Sequence, residues 1–259
     1  MQVHVLASGS TGNAVLLKFG PTRLLVDAGI SARRIERGLA ELGIRAADLD
    51  GILITHEHRD HINGLDVLVR RHQIPVYARE KTWEYIPCLH RLPLHCCNSF
   101  QGAFEIKGVW IEPFSTSHDA ADPVGFAFSY GKKRCVLATD LGVVTPEVEN
   151  ALHNAQVVIL ESNHDLEMLH RGPYPPYLKQ RIRSNKGHLS NHDAGKVLSR
   201  LKRSETMHVF LAHLSQQNND PLLAKKTVSY FLSKAGCQIG DEVVLHLTFP
   251  DQTASLVSK

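Results

Sequence analysis

The sequence has few cysteines and no long hydrophobic run. Its 259 residues include five cysteines and no Cys-x-x-Cys pair, which argues against a disulfide framework and a cysteine-based structural zinc. No stretch approaches the roughly 18 apolar residues of a membrane span. The first residues lack the basic segment and the apolar core of a signal peptide. We therefore expect a cytoplasmic protein with reduced thiols and no membrane partner.

The chain also lacks a strong charge of one sign, an internal repeat and a linker. Its formal net charge is only +3, and charged residues make up 21% of the chain. This composition excludes a disordered tail protein and says little about nucleic acid until the basic residues are located. With 43% hydrophobic residues, the chain can fill one sizeable core. We expect a single domain over residues 1–259.

Short apolar runs alternate with helical patterns along the chain. The pattern predicts strands at 3–7, 14–19, 23–27, 51–55, 76–78, 104–106, 109–114, 125–130, 134–139, 157–161, 206–212 and 242–249. It predicts helices at 31–42, 62–71, 147–153, 191–201 and 221–235, and a polar loop with an internal helix at 164–188. Strands near each end with helices between them favour a layered α/β fold, an αββα sandwich of two mixed sheets.

Histidine is unusually abundant, with 16 residues. A buried apolar strand is followed within six residues by His56, His58, Asp60 and His61. The strand end can point the first two side chains to one side, and the start of the next helix can deliver the other two nearby. Imidazole and carboxylate suit Zn²⁺ or Mn²⁺. This spacing indicates a metal site rather than a solvated histidine-rich loop.

Three further candidate ligands each follow a predicted strand. They are His118, Asp140 and His213. Strand-to-loop junctions at one sheet edge are places where a site can be assembled. Taken alone, each residue could equally be a cap or turn residue, and only the histidine-rich box makes a ligand role the stronger interpretation. Asp27 ends the predicted strand at 23–27, just before Gly29, where a turn residue is the plain interpretation.

This set of motifs resembles the metallo-β-lactamase superfamily in its His-x-His-x-Asp-His form. The motifs occur in the expected order and span nearly the whole chain. The resemblance implies two divalent metal ions, Zn²⁺ or Mn²⁺, and a metal-bridging hydroxide that attacks phosphorus or a carbonyl carbon. His58 stands where di-iron reductases of the superfamily carry Glu, which disfavours redox chemistry. The implied metal ligands are His56, His58 and His118 for one ion, Asp60, His61 and His213 for the second, and Asp140 for both, with Asp27 orienting ligands.

A Gly/Ser-rich loop at 7–14 follows the first predicted strand. Such a loop can offer backbone N–H groups to a phosphate, although a plain hairpin turn has the same composition. Its Gly-Ser-x-Gly-Asn pattern is similar to that of the YycJ/WalJ-type branch of the superfamily. We therefore expect Ser10 and Asn13 to bind substrate.

Two segments further along the chain resemble nuclease branches such as RNase Z. One ends a strand with Glu161 and leads to His164, and the other brings His188 and Ser190 to the start of a helix. The resemblance implies that His188 is the general acid and that Glu161 orients it. His164 is either an additional group near the metals or a substrate contact, and Ser190 is expected to bind substrate. Asp60, Glu161, His164 and His188 are the expected catalytic residues.

Residues 171–188 contain five basic residues and no acid. Within the predicted helix, Lys179, Arg183 and Lys186 share a face. Such a face can follow a nucleic-acid backbone, and Tyr174 and Tyr177 can stack on bases. A solvated helix face is the alternative, and the position just before His188 favours the substrate-binding interpretation.

Together these motifs predict a two-metal phosphodiesterase, most specifically a DNA exonuclease. The expected partner is nucleic acid, DNA in preference to RNA, and a homodimer is left open. A small-molecule phosphodiesterase, a glyoxalase II-type thioesterase and a non-catalytic nucleic-acid-binding protein remain as alternatives. A secreted β-lactamase is disfavoured because no cysteine accompanies the second ligand set. The chain between Asp140 and His213 is too short for the inserted domain of RNase J, and the absence of an RNase Z-type arm disfavours tRNA processing.

Overall fold

A computed structural model describes residues 1–257, and these divide into two compact units. The first unit contains residues 1–112, 120–123 and the chain from Phe249 onward, and the second contains residues 113–119 and 124–248. The prediction of one domain over the whole chain is not tested by this division. No helix among the described residues is long and apolar enough to cross a membrane.

The first sheet is mixed. Its strands are β1 (Gln2–Ala7), β2 (Ala14–Phe19), β3 (Thr22–Val26), β4 (Gly51–Leu53), β5 (Val76–Arg79), β6 (Cys97–Phe100) and β14 (Ala254–Val257). They lie in the order β14-β1-β2-β3-β4-β5-β6. Pairing is antiparallel from β14 to β3 and parallel from β3 to β6. The parallel strands β3 and β4 therefore end at the same edge of the sheet.

Four helices accompany this sheet: α1 (Ala32–Glu41), α2 (Arg59–Ile62), α3 (Leu65–His72) and α4 (Glu80–Tyr85). The predicted helix at 62–71 is thus two helices, which are separated at Asn63 and Gly64. A Cβ at Gly64 would lie 2.2 Å from the Ile30 carbonyl oxygen, so this break brings the chain against the start of α1. The core of this unit lies between the helices and one face of the sheet, with Leu25, Ile52 and Leu68 fully buried.

The second sheet is also mixed. Its strands are β7 (Phe104–Ile106), β8 (Val109–Ser115), β9 (Val124–Tyr130), β10 (Lys133–Ala138), β11 (Val157–Glu161), β12 (Met207–Ala212) and β13 (Val243–Leu247). They lie in the order β13-β12-β11-β10-β9-β8-β7. Strands β10 to β13 are parallel, so β10, β11 and β12 also end at one sheet edge.

The helices of the second unit are α5 (Pro146–Leu152), α6 (Leu166–Arg171), α7 (Pro176–Ile182), α8 (Asn191–Arg200) and α9 (Pro221–Lys234). Side chains of α8 and α9 pack with the apolar face of β12, where Val197, Val228 and Leu211 are buried. The prediction of two mixed β-sheets flanked by helices is confirmed. The predicted pattern did not include β6, α4 or β14, which are short elements with weak periodicity.

The contact between α8 and α9 generates a test of the packing. Alanine is a better helix former than glycine by about 1 kcal/mol, but a Cβ at Gly195 would lie 2.7 Å from Cδ2 and 3.1 Å from Cβ of Phe231. We therefore expect Gly195→Ala to lower the free energy of unfolding in urea by ~1–3 kcal/mol. Lys196→Ala, on the exposed face of the same helix, should change it by less than ~0.5 kcal/mol. A stabilised Gly195→Ala variant would contradict the packing.

Candidate functional site

Asp27 follows β3 and organises the candidate ligands of the first unit. Its φ of 59° lies in the left-handed region that non-glycine residues rarely adopt. Its backbone N–H donates to the Leu53 carbonyl at 2.8 Å, which ties the end of β3 to the end of β4. The sharp turn leaves the carboxylate within hydrogen-bonding distance of Thr55 and His61.

The Asp27 carboxylate accepts three kinds of donor. His61 Nδ1 lies 2.7 Å from Oδ2, and the Thr55 backbone N–H and hydroxyl donate to Oδ1 at 2.9 and 3.1 Å. The Thr55 hydroxyl also lies 3.0 Å from His56 Nδ1. Burial raises the pKa of Asp27 above its usual range, and the hydrogen bonds and charge of His61 oppose that rise. Asp27 therefore holds both histidines through one connected network.

The three histidines of the box lie together in the first unit. The ring centroids of His56 and His58 are 4.6 Å apart, and those of His56 and His61 are 4.1 Å apart. Asp60 Oδ2 lies 3.5 Å from His61 Nε2. His56 and His61 are almost completely buried. Imidazoles this close, beside a carboxylate, are chemically suited to Zn²⁺ or Mn²⁺.

The Gly/Ser-rich loop is held against this box by main-chain hydrogen bonds. The Asn13 N–H donates to the Asp60 carbonyl and the Gly29 N–H donates to the Asn13 carbonyl, both at 2.8 Å. A Cβ at Gly29 would lie only 1.6 Å from the Asp60 carbonyl oxygen, so glycine is required for this close approach. The sequence analysis did not identify this role, although the Asp-Ala-Gly spacing is a signal for it.

The two predicted substrate-binding residues of this loop occupy different environments. Ser10 is exposed and lines a cavity of about 340 Å³. Asn13 is buried, its Oδ1 accepts the Gly9 N–H at 3.0 Å, and its Nδ2 lies 3.2 Å from His61 Nε2. Asn13 therefore links the loop to a candidate metal ligand.

In the second unit, Asp140 and His213 follow the ends of β10 and β12. Both have left-handed backbones, with φ of 56° and 54°. His213 Nε2 lies 3.5 Å and His118 Nε2 lies 3.8 Å from Asp140 Oδ1. Asp140, Glu161, His188 and His213 bring potential ligand atoms within 4.8 Å of one another. Because β10, β11 and β12 are parallel, their carboxyl ends collect these side chains.

Glu161 is fully buried at the end of β11, and its oxygens accept four N–H donors. Oε1 lies 2.7 Å from His188 Nδ1 and 3.1 Å from His213 Nδ1. Oε2 accepts the N–H groups of Leu141 and Leu189 at 2.9 and 3.3 Å. Burial opposes ionisation of Glu161, but the positive charge and hydrogen bonds of the histidines prevail and lower its pKa to about 2. A carboxylate engaged in this way supports the histidines rather than a metal ion.

A common pattern of hydrogen bonds shows that these residues fit metal ions. Four candidate ligand histidines each have Nδ1 beside an acceptor: Thr55 Oγ1 for His56, Asp27 for His61, the Gly187 carbonyl for His118 and Glu161 for His213. Such an acceptor holds the proton on Nδ1 and leaves the lone pair on Nε2 for a metal. Thr55 was not among the predicted site residues, although it directly precedes the box.

His164 and Ser190 are both buried. Burial lowers the pKa of His164 to about 4, so the imidazole is neutral at pH 7, and its Nδ1 has no hydrogen-bond partner among the described residues. Ser190 caps α8, where its hydroxyl lies 2.6 Å from Asp193 Oδ2 and accepts the Asp193 N–H at 3.1 Å. The catalytic role of His164 and the substrate-binding role of Ser190 stay predictions.

The prediction that Lys179, Arg183 and Lys186 share one face of a helix is wrong. Helix α7 ends at Ile182, so Lys179 lies on the helix, Arg183 terminates it, and Lys186 lies beyond it. The chain turns back there because the His188 N–H donates to the Ile182 carbonyl at 2.9 Å. Gly187 permits this turn, since a Cβ there would lie 2.2 Å from the same carbonyl oxygen. The three side chains remain in one segment without forming a helical stripe, and their contact with substrate stays a prediction.

Comparison with known proteins gives the family. A family model described as "Beta-lactamase superfamily domain" matches residues 22–213. The chain belongs to the metallo-β-lactamase superfamily. It is 41% identical over 253 residues to "Exodeoxyribonuclease YycJ" of Bacillus anthracis, covering 96% of each chain. It is 39% identical over 259 residues to "Exodeoxyribonuclease WalJ" of Streptococcus pneumoniae, covering 97% of this chain and 96% of the relative.

These relatives confirm the resemblance to the YycJ/WalJ-type branch. The solved structure of the metallo-β-lactamase fold protein YhfI from Bacillus subtilis matches with a TM-score of 0.71 at 17% identity and covers 98% of both chains. At this identity the structural likeness shows the fold alone. The relatives in this branch carry exonuclease names, which are names of hydrolases, and this chain has clusters of His and Asp that can hold metal.

The Asp27 network generates a prediction about metal affinity. Asp27→Asn removes the charge beside His61 Nδ1 and replaces an acceptor with an amide, so the histidine loses its fixed tautomer. We expect the affinity for Zn²⁺ to fall by about 10- to 100-fold, measured by competition with a chromophoric chelator. Asp48→Asn, at an exposed ion pair with Arg45, serves as the control, and circular dichroism checks the fold. Equal affinities in the two variants would contradict this role for Asp27.

Proposed function

We propose that this chain is a two-metal-dependent exodeoxyribonuclease. The observation that carries the proposal is the set of four histidines whose Nδ1 atoms each lie beside a hydrogen-bond acceptor. The chain that carries them is about 40% identical to two exodeoxyribonucleases along nearly its whole length. The names of these relatives support DNA over RNA as the substrate. A cytoplasmic location and a homodimer stay predictions.

The ligand assignment follows the family pattern. It gives His56, His58 and His118 to one ion, Asp60, His61 and His213 to the second, and Asp140 to both. When bound, two divalent ions lower the pKa of an attacking water and neutralise charge that develops on the phosphate. The donor set suits both Zn²⁺ and Mn²⁺.

Within this proposal, His188 donates a proton to the leaving oxygen. Its Nδ1 lies 2.7 Å from the buried Glu161 carboxylate, and its side chain is 23% exposed. Burial lowers the pKa of His188, but the charge and hydrogen bond of Glu161 outweigh burial and raise it above the ordinary value. The imidazolium is therefore favoured, and Nε2–H is the group that can give up a proton.

Substrate contacts outside the metal ligands are proposed for the Gly/Ser-rich loop and the basic segment. Ser10 is exposed on the loop, and Arg183 and Lys186 are exposed around the turn that leads to His188. Lys179 Nζ donates to the His170 carbonyl at 2.7 Å, so it also braces α6 against α7. Positive charges in this segment can neutralise phosphates of a DNA strand.

The experiment that tests the function is a cleavage assay on end-labelled DNA. Wild-type protein with Mn²⁺ or Zn²⁺ should shorten duplex or single-stranded DNA progressively from an end, and EDTA should abolish the reaction until metal is restored. Asp60→Ala, which removes a proposed ligand, should be inactive under the same conditions. RNA, a thioester and a small phosphodiester are assayed in parallel. Turnover of one of these with no cleavage of DNA would contradict the proposal.

The role of His188 predicts a dependence on the leaving group. We expect His188→Ala to lower kcat on DNA by about 10²- to 10⁴-fold, since general acid catalysis typically contributes that much. Glu161→Gln should lower it in the same direction. The loss should be small on bis(p-nitrophenyl) phosphate, because p-nitrophenolate leaves without protonation. His192→Ala is a nearby partly exposed control. Equal losses on both substrates would exclude the acid role.

A further inference from the structure

A groove in the first unit consists of two cavities that share Arg59 and Asn63. The first, which we call the polar chamber, has a volume of about 340 Å³ and is also lined by Ser10, Thr11, Gly29 and Asp60, the last a proposed metal ligand. The second, the apolar chamber, has a volume of about 330 Å³ and is also lined by Ile62, Val67 and Pro87. Arg59 therefore lies where a polar compartment meets an apolar one.

Arg59 is available to bind an anion. Its side chain is exposed, and its guanidinium makes no hydrogen bond or ion pair within residues 1–257. The acids of the apolar chamber are already engaged. Asp66 accepts from Arg70 at 2.6 Å and pairs with Arg91 at 3.3 Å, and Glu57 Oε1 accepts the Ala121 N–H at 2.8 Å. A guanidinium without a partner is well suited to hold a phosphate by two parallel hydrogen bonds.

Ser10 and Thr11, which also line the polar chamber, carry further donors. The Gly9–Asn13 turn is closed by the Gly12 N–H, which donates to the Gly9 carbonyl at 3.0 Å. The N–H groups of Ser10 and Thr11 donate to no backbone carbonyl in the described part of the chain. Both residues are exposed and carry hydroxyls. A cavity lined by residues with backbone and hydroxyl donors and by Arg59 is suited to an anion.

We propose that this groove binds one nucleotide of the DNA strand, with Arg59 on a phosphate in the polar chamber and the nucleoside against Ile62, Val67 and Pro87. The inference rests on the proposed function and adds a specificity-determining residue to it. Each chamber lies at the small end of the roughly 300–1,000 Å³ typical of ligand sites, which suits a single nucleotide unit rather than a duplex. The phosphate is either a terminal monoester or a backbone diester.

The test of the phosphate contact compares three arginine variants. Steady-state cleavage in Mn²⁺ gives KM and kcat, and fluorescence anisotropy in EDTA gives the Kd for DNA and its dependence on salt. Arg59→Ala should raise KM and Kd by about 10- to 100-fold with a smaller change in kcat, because a charged hydrogen-bonded pair is lost. It should also reduce the slope of log Kd against log salt by about 0.7–0.9, the value of one phosphate contact. Arg59→Lys should fall between wild type and Arg59→Ala.

Arg45→Ala is the matched control. It removes the same charge from an exposed position that precedes β4, whereas Arg59 follows that strand. It should leave KM, Kd and the salt slope near wild-type values. If Arg59→Ala and Arg45→Ala have the same KM, Kd and salt slope while wild-type protein cleaves DNA, the groove proposal is wrong and the nuclease proposal stands. If wild-type protein neither cleaves nor binds DNA, the proposed function itself has failed.

A second measurement tests the apolar chamber and the source of the phosphate. Abasic nucleotides are placed at each of the terminal positions, and Val67→Glu is assayed on the same strands. One terminal nucleotide is the one whose base lies in the apolar chamber. At that position the abasic substitution and Val67→Glu should each raise KM, and their effects should not add. KM is also measured on DNA with and without a terminal phosphate. A KM that depends on this phosphate identifies the bound group as a terminal monoester, and a KM that does not identifies it as a backbone diester. Additive effects at every position would overturn the nucleoside assignment.

Discussion

Hydrogen bonds to Nδ1 are the constraint on which the candidate metal chemistry depends. An imidazole can bind metal through either nitrogen, and it rotates about two side-chain torsions unless something holds it. Here a carboxylate, a hydroxyl or a carbonyl lies beside Nδ1 of His56, His61, His118 and His213. Each acceptor can hold the proton on Nδ1 and orient the ring, which leaves Nε2 as the nitrogen that can bind a metal ion.

Among the described residues, three of the six non-glycine residues with positive φ are candidate site residues. Asp27, Asp140 and His213 are non-glycine residues with positive φ, and each directly follows or nearly follows a parallel strand. Left-handed backbone is unfavourable for such residues by about 1–2 kcal/mol. It persists because hydrogen bonds and close packing around it leave no alternative, and Gly29 and Gly187 provide room where carbonyl groups approach. Strained residues of this kind concentrate at functional sites.

The charge of this chain gives no strong overall field, so each basic residue has to be judged by its own surroundings. A net charge of +3 is too small to attract DNA strongly by itself. Several arginines that suggest a basic surface are neutralised locally, as in the pairs of Arg71 with Glu36 and Arg181 with Asp119. The position and pairing of each guanidinium therefore decide its role. Arg59 differs from these because it lines a cavity and has no acidic partner among residues 1–257.

The sequence by itself determined the family, the candidate ligand residues and most of the strands, since the histidine box, the strand-terminal acids and the apolar runs are local patterns. It could not determine the network of Asp27, Thr55 and His61, the close approach at Gly29, or the sharing of Glu161 by two histidines. It also misjudged α7, whose helix ends because Gly187 lets the chain turn back onto the Ile182 carbonyl. The end of α7 is a local turn that the periodicity of the sequence does not reveal. The network, the close approach at Gly29 and the sharing of Glu161 depend on atoms that are far apart in the chain, and only the tertiary structure brings such atoms close together.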